Sequence, residues 1–227
     1  MNNDTIMLLK ECELSNNIEN YYDFFVSNKA KILSIICLKG YYNLLLKLYD
    51  IDKKFIIDKS EYGFYLASLN NHIKLVEFFS EISNIYSVID EFLVTIICKI
   101  CHLRILQKFY EIKPNIINFI EDGFIEACYH NKINIIDQIV IWIPDIDFDN
   151  IQYKFIESNE IKNKLYELLQ NKRKKWMNKT YDMDIDCLIC YNNTKNCITP
   201  CKHIFCSECI NKWLLNSNIC PYCKKII

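Results

Sequence analysis

Glycine and proline are nearly missing, with three and four residues in a chain of 227. The tight turns of a many-stranded sheet have little to be built from, so an all-β fold is excluded in favour of helices joined by asparagine-containing turns. Net charge is close to absent as well, at -1. No general electrostatic pull toward nucleic acid, membranes or acidic substrates follows, and neither nucleic acid nor membrane is expected as a partner. The opening "MNNDTIMLLKECEL" has neither a basic stretch nor a long apolar run, so no export signal is read there. The thirteen cysteines are therefore expected as reduced thiols, in the cytoplasm or nucleus. Long hydrophobic runs are lacking too: "VTIIC" and "IIDQIVIWI" are too short for a bilayer. What is abundant is apolar side chain, 51% of residues, ample for a core.

That apolar content is periodic. Ile73, Leu103 and Ile133 recur at a spacing of 30, as do Val76, Leu106, Ile136 and Phe79, Phe109, Ile139. Tyr42, Leu45 and Leu48 extend the series upstream at a spacing of 31. Within a unit the positions fall on one face of a short helix, and a polar turn such as "NNH" separates it from a preceding helix with small residues, Ala67 and Ala127 among them. Each unit predicts a helix–turn–helix pair, which cannot bury its own apolar face and must stack on neighbours.

"LASLNNHIKLVEFF" (66–79) resembles the ankyrin stretch L-A-A-x-N-G-H-L-E-I-V-K-L-L, "EACYHNKINIIDQIV" (126–140) resembles it less closely, and Gly40 stands at the ankyrin inter-helix glycine. "YGFY" and "DGFI" replace the family's T-P-L-H, and a period near 30 leaves little room for β-hairpin fingers. The resemblance implies degenerate ankyrin-like repeats over roughly 30–145, with "LSNNIENYYDFF" (14–25) as one cap and "FIESNEIKNKLYELLQ" (155–170) as a last, more polar helix pair. A nonrepeating helical domain is the plainer alternative.

Two C-x-x-C motifs invite chemistry. The first, "CKICH" (98–102), is absorbed by the repeat: Cys98 aligns with Ser68 and Cys128, Cys101 with the turn residues Gly40, Asn71 and Asn131, and His102 with His72. No spacing nominates further zinc ligands for it, and a haem reading has no export signal to support it. Cys98 and Cys101, and with them Cys12, Cys37 and Cys128, are expected as buried thiols.

The second opens "CLICYNNTKNCITPCKHIFCSECINKWLLNSNICPYC", with candidate ligands spaced C-x2-C-x10-C-x-H-x2-C-x2-C-x10-C-x2-C. Two Zn²⁺ ions each take four N or S ligands, and metal must supply most of the folding free energy of so short a segment, on the order of 10 kcal/mol per site. Sequential zinc ribbons, a nucleic-acid zinc module and an interleaved arrangement share this spacing.

The pattern closely resembles the C3HC4 RING finger. That resemblance implies a cross-brace with Cys187, Cys190, Cys206 and Cys209 on one zinc and Cys201, His203, Cys220 and Cys223 on the other. Cys197 fits neither set and is expected in a loop. Ile189 between the first ligands, Trp213 four residues after Cys209 on a predicted helix "INKWLLN", and Pro221 after Cys220 match the family's shallow groove for a ubiquitin-conjugating enzyme (E2). Packing of Ile189 and Trp213 within the small zinc core is the alternative. Lys224 stands where the family places a basic linchpin, more often arginine, between E2 and ubiquitin.

Between the parts, "NKRKKWMNK" (171–179) carries Lys172, Arg173, Lys174 and Lys175. It is expected as the solvated face of a helix whose stripe is Ile161, Leu165, Leu168, Leu169 and Trp176, with a nuclear-import or nucleic-acid patch as the alternative. The expected organisation is mostly α: an ankyrin-like solenoid with caps (1–158), a connecting basic amphipathic helix (159–181) and a small α+β RING holding two Zn²⁺ (182–227). The resemblances imply a RING-type E3 ubiquitin ligase whose partners are an E2, ubiquitin and a substrate recruited by the repeats, or else a noncatalytic adaptor.

Overall fold

In the computed structural model, helix pairs recur along the first part of the chain. The structure describes every residue except 1–2, 16–21, 145, 147–150, 178–179, 182–185, 193–195, 215–216, 218 and 226, and describes the backbone alone at 3–5, 22, 153, 175–176 and 180–181. Two units result, Met1–Phe148 and Asp149–Ile227. No helix among the described residues is long and apolar enough to cross a membrane.

The first unit opens with α1 (Asn3–Ser15) and then runs through four pairs: α2 (Tyr22–Lys39) with α3 (Tyr42–Ile51), α5 (Ser60–Leu69) with α6 (Ile73–Ile82), α7 (Glu91–Ile100) with α8 (Leu103–Ile112), and α9 (Glu121–Tyr129) with α10 (Ile133–Trp142). A short α4 (Lys53–Asp58) joins the first two pairs, and a 3-10 turn, Pro114–Asn118, lies between the last two. No strand is found among the described residues of this unit. The cap expected at 14–25 falls partly on residues 16–21, outside the described ones.

Each pair bends at the same place for the same reason. Gly40, Asn71, Cys101 and Asn131 take φ of 76°, 61°, 66° and 56°, and the next residue's N–H donates to a carbonyl five residues back. Those bonds are Tyr41 to Ile36, His72 to Ala67, His102 to Ile97 and Lys132 to Ala127, at 2.8–3.2 Å. This is the Schellman closure, which satisfies helix-end carbonyls and calls for a left-handed residue. Glycine and asparagine supply it cheaply; Cys101 supplies it against a penalty of about 1 kcal/mol.

First helices pack in a row, α2 on α5, α5 on α7 and α7 on α9, while α6 lies against α8. The fully buried positions are Leu44, Leu75, Ile105 and Ile135; Leu45, Val76, Leu106 and Ile136; and Leu48, Phe79, Phe109 and Ile139. The expected stripe therefore needs one correction. Ile73, Leu103 and Ile133 open their helices half-buried, and the residue two further on takes the core place. Histidines tie pairs together: His72 Nε2 lies 3.1 Å from Leu38 O, and His102 Nδ1 lies 3.1 Å from Ser68 O. A β-carbon on Gly40 would stand 2.4 Å from His72 Nδ1, so the first turn requires glycine twice over.

In the second unit a 3-10 turn, Tyr153–Phe155, precedes α11 (Asn159–Met177). The stretch 155–170 thus holds the end of that turn and the first part of one long helix rather than a helix pair. Ile161, Leu165, Leu168 and Leu169 are buried, while the side chains of Lys175 and Trp176 lie outside the described residues. Then come β1 (Thr180–Tyr181), β2 (Asn196–Ile198), β3 (Ile204–Cys206) and α12 (Ser207–Leu214). The strands form an antiparallel sheet in the order β1-β2-β3, registering Thr180 with Cys197 and Cys197 with Phe205. Helix α11 lies against β2, and Met177 packs on the core of Cys197, Phe205, Ile210, Leu214 and Ile227. The helix expected as a connector shares its unit with the cysteine-rich segment.

Candidate metal centre

Three local devices present the ligands. Residues 187–191 and 220–224 are two copies of one knuckle. The N–H of Tyr191 donates to Cys187 O at 2.9 Å and that of Lys224 to Cys220 O at 3.1 Å; Cys187 and Cys220 in turn donate to the carbonyls of Asn192 and Lys225. Tyr191 and Lys224 close these loops with φ of 57° and 63°. Between β2 and β3, Lys202 at φ 66° turns the chain so that Cys201 and His203 point the same way. Cys206 ends β3 and Cys209 sits in the first turn of α12.

The ligand atoms of Cys187, Cys190, Cys206 and Cys209 lie within 4.8 Å of one another, and so do those of Cys201, His203, Cys220 and Cys223. Around a tetrahedral Zn²⁺, sulfurs at about 2.3 Å and nitrogens at about 2.0 Å stand about 3.8 Å apart sulfur to sulfur and about 3.5 Å sulfur to nitrogen. Cys190 and Cys206 Sγ are 3.8 Å apart. His203 Nδ1 lies 3.6 Å from Cys220 Sγ and 3.3 Å from Cys201 Sγ. Both quartets fit zinc, and both are complete with protein ligands, which suits ions that hold shape rather than activate water. They interleave along the chain, which sets aside sequential ribbons.

The backbone favours the thiolate at Cys187 in particular. Cys187 is buried, which pushes its thiol up, but backbone N–H groups of Cys190, Cys206 and Ile189 facing the sulfur bring it down to about 7. The Ile189 N–H stands 3.4 Å from Cys187 Sγ. Thr199, which sequence reasoning passed over, fixes the other site's turn. Its buried hydroxyl donates to His203 O and accepts from His203 N, both at 3.0 Å, and lies 3.1 Å from Cys201 Sγ. Threonine two residues before a C-x-H pair was the available signal.

Cys197 is not in a loop. It lies in β2, fully buried, with its thiol donating to Phe205 O. In "CKICH", Cys101 is only half-buried, because it sits in the left-handed turn between the helices, whereas Cys98 is fully buried and its sulfur sits where a β-carbon on Gly123 would come within 2.8 Å. Burial pushes Cys37, Cys98 and Cys128 up to about 12, the condition of inert core thiols. The basic run also differs from expectation at Arg173: it is 2% exposed, and its Nε donates to the Ile227 backbone oxygen at 3.0 Å.

On the module's outside, Ile189 and Trp213 remain 38% and 37% exposed, while Ile210 and Leu214 turn the other face of α12 into the core. Trp213 Nε1 donates to Ile219 O at 2.7 Å, fixing the indole. Pro221 is half-buried on the second knuckle. Lys224 Nζ lies 5.5 Å from the Trp213 ring centre and donates to Pro221 O at 2.8 Å.

An interleaved pair of zinc quartets on a short sheet and one helix defines a cross-braced zinc module. Residues 185–224 match the family model described as the Ring finger domain. The chain is 29% identical over 113 residues to E3 ubiquitin-protein ligase BIG BROTHER of Arabidopsis thaliana, covering 43% of this chain and 46% of that protein. It is 37% identical over 51 residues to RING finger protein 141 of Danio rerio (22% and 23%) and 45% identical over 40 residues to RING finger protein 151 of Mus musculus (17% of each). The chain thus spans less than half the length of these curated relatives. No solved structure matches.

Proposed function

We propose that this protein is a RING-type E3 ubiquitin-protein ligase. The observation that carries the reading is the pair of exposed apolar side chains, Ile189 and Trp213, beside the zinc quartets of a Ring finger domain. Ile189 and Trp213 stay on the surface while Ile210 and Leu214 fill the core beneath, and an isoleucine and a tryptophan so placed fit the apolar centre of an interface. Their partner in this reading is a ubiquitin-charged E2, with Pro221 on the same surface. The protein forms no covalent ubiquitin intermediate. It holds the E2 thioester so that a substrate lysine attacks in a favourable orientation. Lys224 acts as the linchpin toward ubiquitin.

The first unit is read as an ankyrin-like solenoid that recruits the substrate, in cytoplasm or nucleus. Its 30- to 31-residue helix pairs, left-handed turn residues and turn histidines support this. A noncatalytic adaptor is the second reading, favoured by the Lys224 Nζ bond to Pro221 O, which occupies the group a linchpin needs. Ubiquitin transfer with a panel of E2s separates the two. Ile189→Ala and Trp213→Ala are each expected to cost about 2 kcal/mol of E2 binding and to abolish transfer with zinc retained. Wild-type protein that binds an E2 yet never accelerates ubiquitin discharge would establish the adaptor.

A further inference from the structure

Two adjoining hollows, about 310 and 340 Å³, open on the first unit, and Tyr62 lines both. Leu33, Phe55 and Lys59 wall one of them. The other is walled by Glu61, Tyr62 and Tyr65 of α5 and by Ser87, Val88 and Asp90 of the segment before α7. The surface is mainly apolar and its charges are sorted: Lys59 at one end, two carboxylates at the other, with no lysine or arginine lining the acidic end.

Both carboxylates are held in place without being neutralised. Glu61 Oε1 accepts from Ser87 Oγ at 3.1 Å, and Asp90 Oδ1 accepts from Leu93 N at 2.8 Å, capping α7. Neither is ion-paired among the described residues. Lys113 gives its Nζ to the Tyr86 and Ile89 carbonyls instead. Tyr62 is 48% exposed, and its hydroxyl lies 3.1 Å from Ser34 Oγ, which steadies the ring between the two hollows.

Glu61 has counterparts at Glu91 and Glu121, where a carboxylate in the first turn favours the helix dipole. That role accounts for the row of glutamates but not for an aromatic-walled hollow at Glu61. A long aliphatic stem ending in a cation matches such a hollow: the stem covers the rings and the head meets the carboxylates.

We propose that this groove receives an extended segment of a protein partner carrying a lysine or arginine. The cation sits between Glu61 and Asp90, its stem lies on Tyr62 and Tyr65, and a neighbouring apolar side chain enters the hollow of Leu33 and Phe55. The proposal rests on the ligase reading, because it gives the substrate-recruiting face its chemistry.

The test is binding of the full zinc-loaded chain to a positional-scanning library of short peptides. Lysine or arginine should be selected at one position with an apolar residue close by. Glu61→Arg should weaken the selected peptide about tenfold and Glu61→Gln about threefold, whereas Glu121→Arg should change binding less than twofold. Helical signal and melting of each variant establish that it is folded. No selected peptide, selection without a basic residue, or equal effects of Glu61→Arg and Glu121→Arg would overturn the groove. Autoubiquitination measured on the same preparations keeps the readings apart: transfer without selection sinks the groove alone, and selection without transfer sinks the ligase reading alone.

Discussion

Arg173 offers a direct probe of where the zinc module begins. The family match starts at residue 185, yet the guanidinium twelve residues earlier is buried and bonded to Ile227 O, beyond the last ligand. Ile227 is itself 6% exposed and part of the zinc-module core. Arg173→Ala would orphan that oxygen and strip the arginine stem from its packing. A hydrogen bond from a charged donor contributes about 1.5–3 kcal/mol, and a buried guanidinium pays part of this back in desolvation, so a net loss of about 2 kcal/mol is expected.

Because metal holding and folding are one equilibrium here, that loss is about thirtyfold in the constant measured by chelator competition. Arg173→Met separates the parts: it keeps the apolar stem and should recover some, but not all, of the loss. The assay is zinc release to a colorimetric chelator, read beside thermal melting of the full chain. Wild-type retention in Arg173→Ala would refute the reasoning, since α11 would then be a mere neighbour of the module. Full recovery in Arg173→Met would show that the arginine contributes packing alone.

Metal analysis should find two zinc per chain, because each quartet is complete. His203→Ala should lower that figure, and replacing Cys98 and Cys101 together by serine should leave it unchanged. Gly40→Ala should cost about 2 kcal/mol in thermal or denaturant unfolding, combining left-handed strain with displacement of the His72 ring. In a His72→Ala background the cost should fall to about 1 kcal/mol of strain alone.

The two quartets of cysteine and histidine were legible because chain spacing constrains them directly: a knuckle needs two cysteines three apart, and the residues between need no particular identity. The helix pairs were legible for a related reason, since stacking repeats the same burial demand every thirty residues or so. The burial of Arg173 was not legible. Its partner lies 54 residues away, and within α11 it reads like Lys172 and Lys174 beside it. The strand at Cys197 was not legible either, because three residues, with β-branched Ile198 beside it and Phe205 opposite, are too few to show a period. The half-turn offset in the core stripe has a similar origin. Ile73, Leu103 and Ile133 satisfy the apolar pattern equally well, and only packing distinguishes them from the residues two further on.

Lys224 raises a question that the two knuckles answer together. Tyr191 and Lys224 occupy the same left-handed place, with the same backbone bond to the first cysteine's carbonyl. A tyrosine serves at one and a lysine at the other, so the backbone position makes no demand for positive charge. Whatever the lysine contributes is separable from holding zinc. Asparagine adopts the left-handed region with little penalty, so Lys224→Asn removes the charge without straining the knuckle. Zinc content and E2 binding should stay at wild-type level, while ubiquitin discharge slows if the ammonium leaves Pro221 O to bridge E2 and ubiquitin. Lys224→Arg should match or exceed the wild-type rate, because a guanidinium fork can contact two partners at once. Equal discharge by all three proteins would reduce Lys224 to a knuckle residue resting on Trp213, and the adaptor reading would gain accordingly.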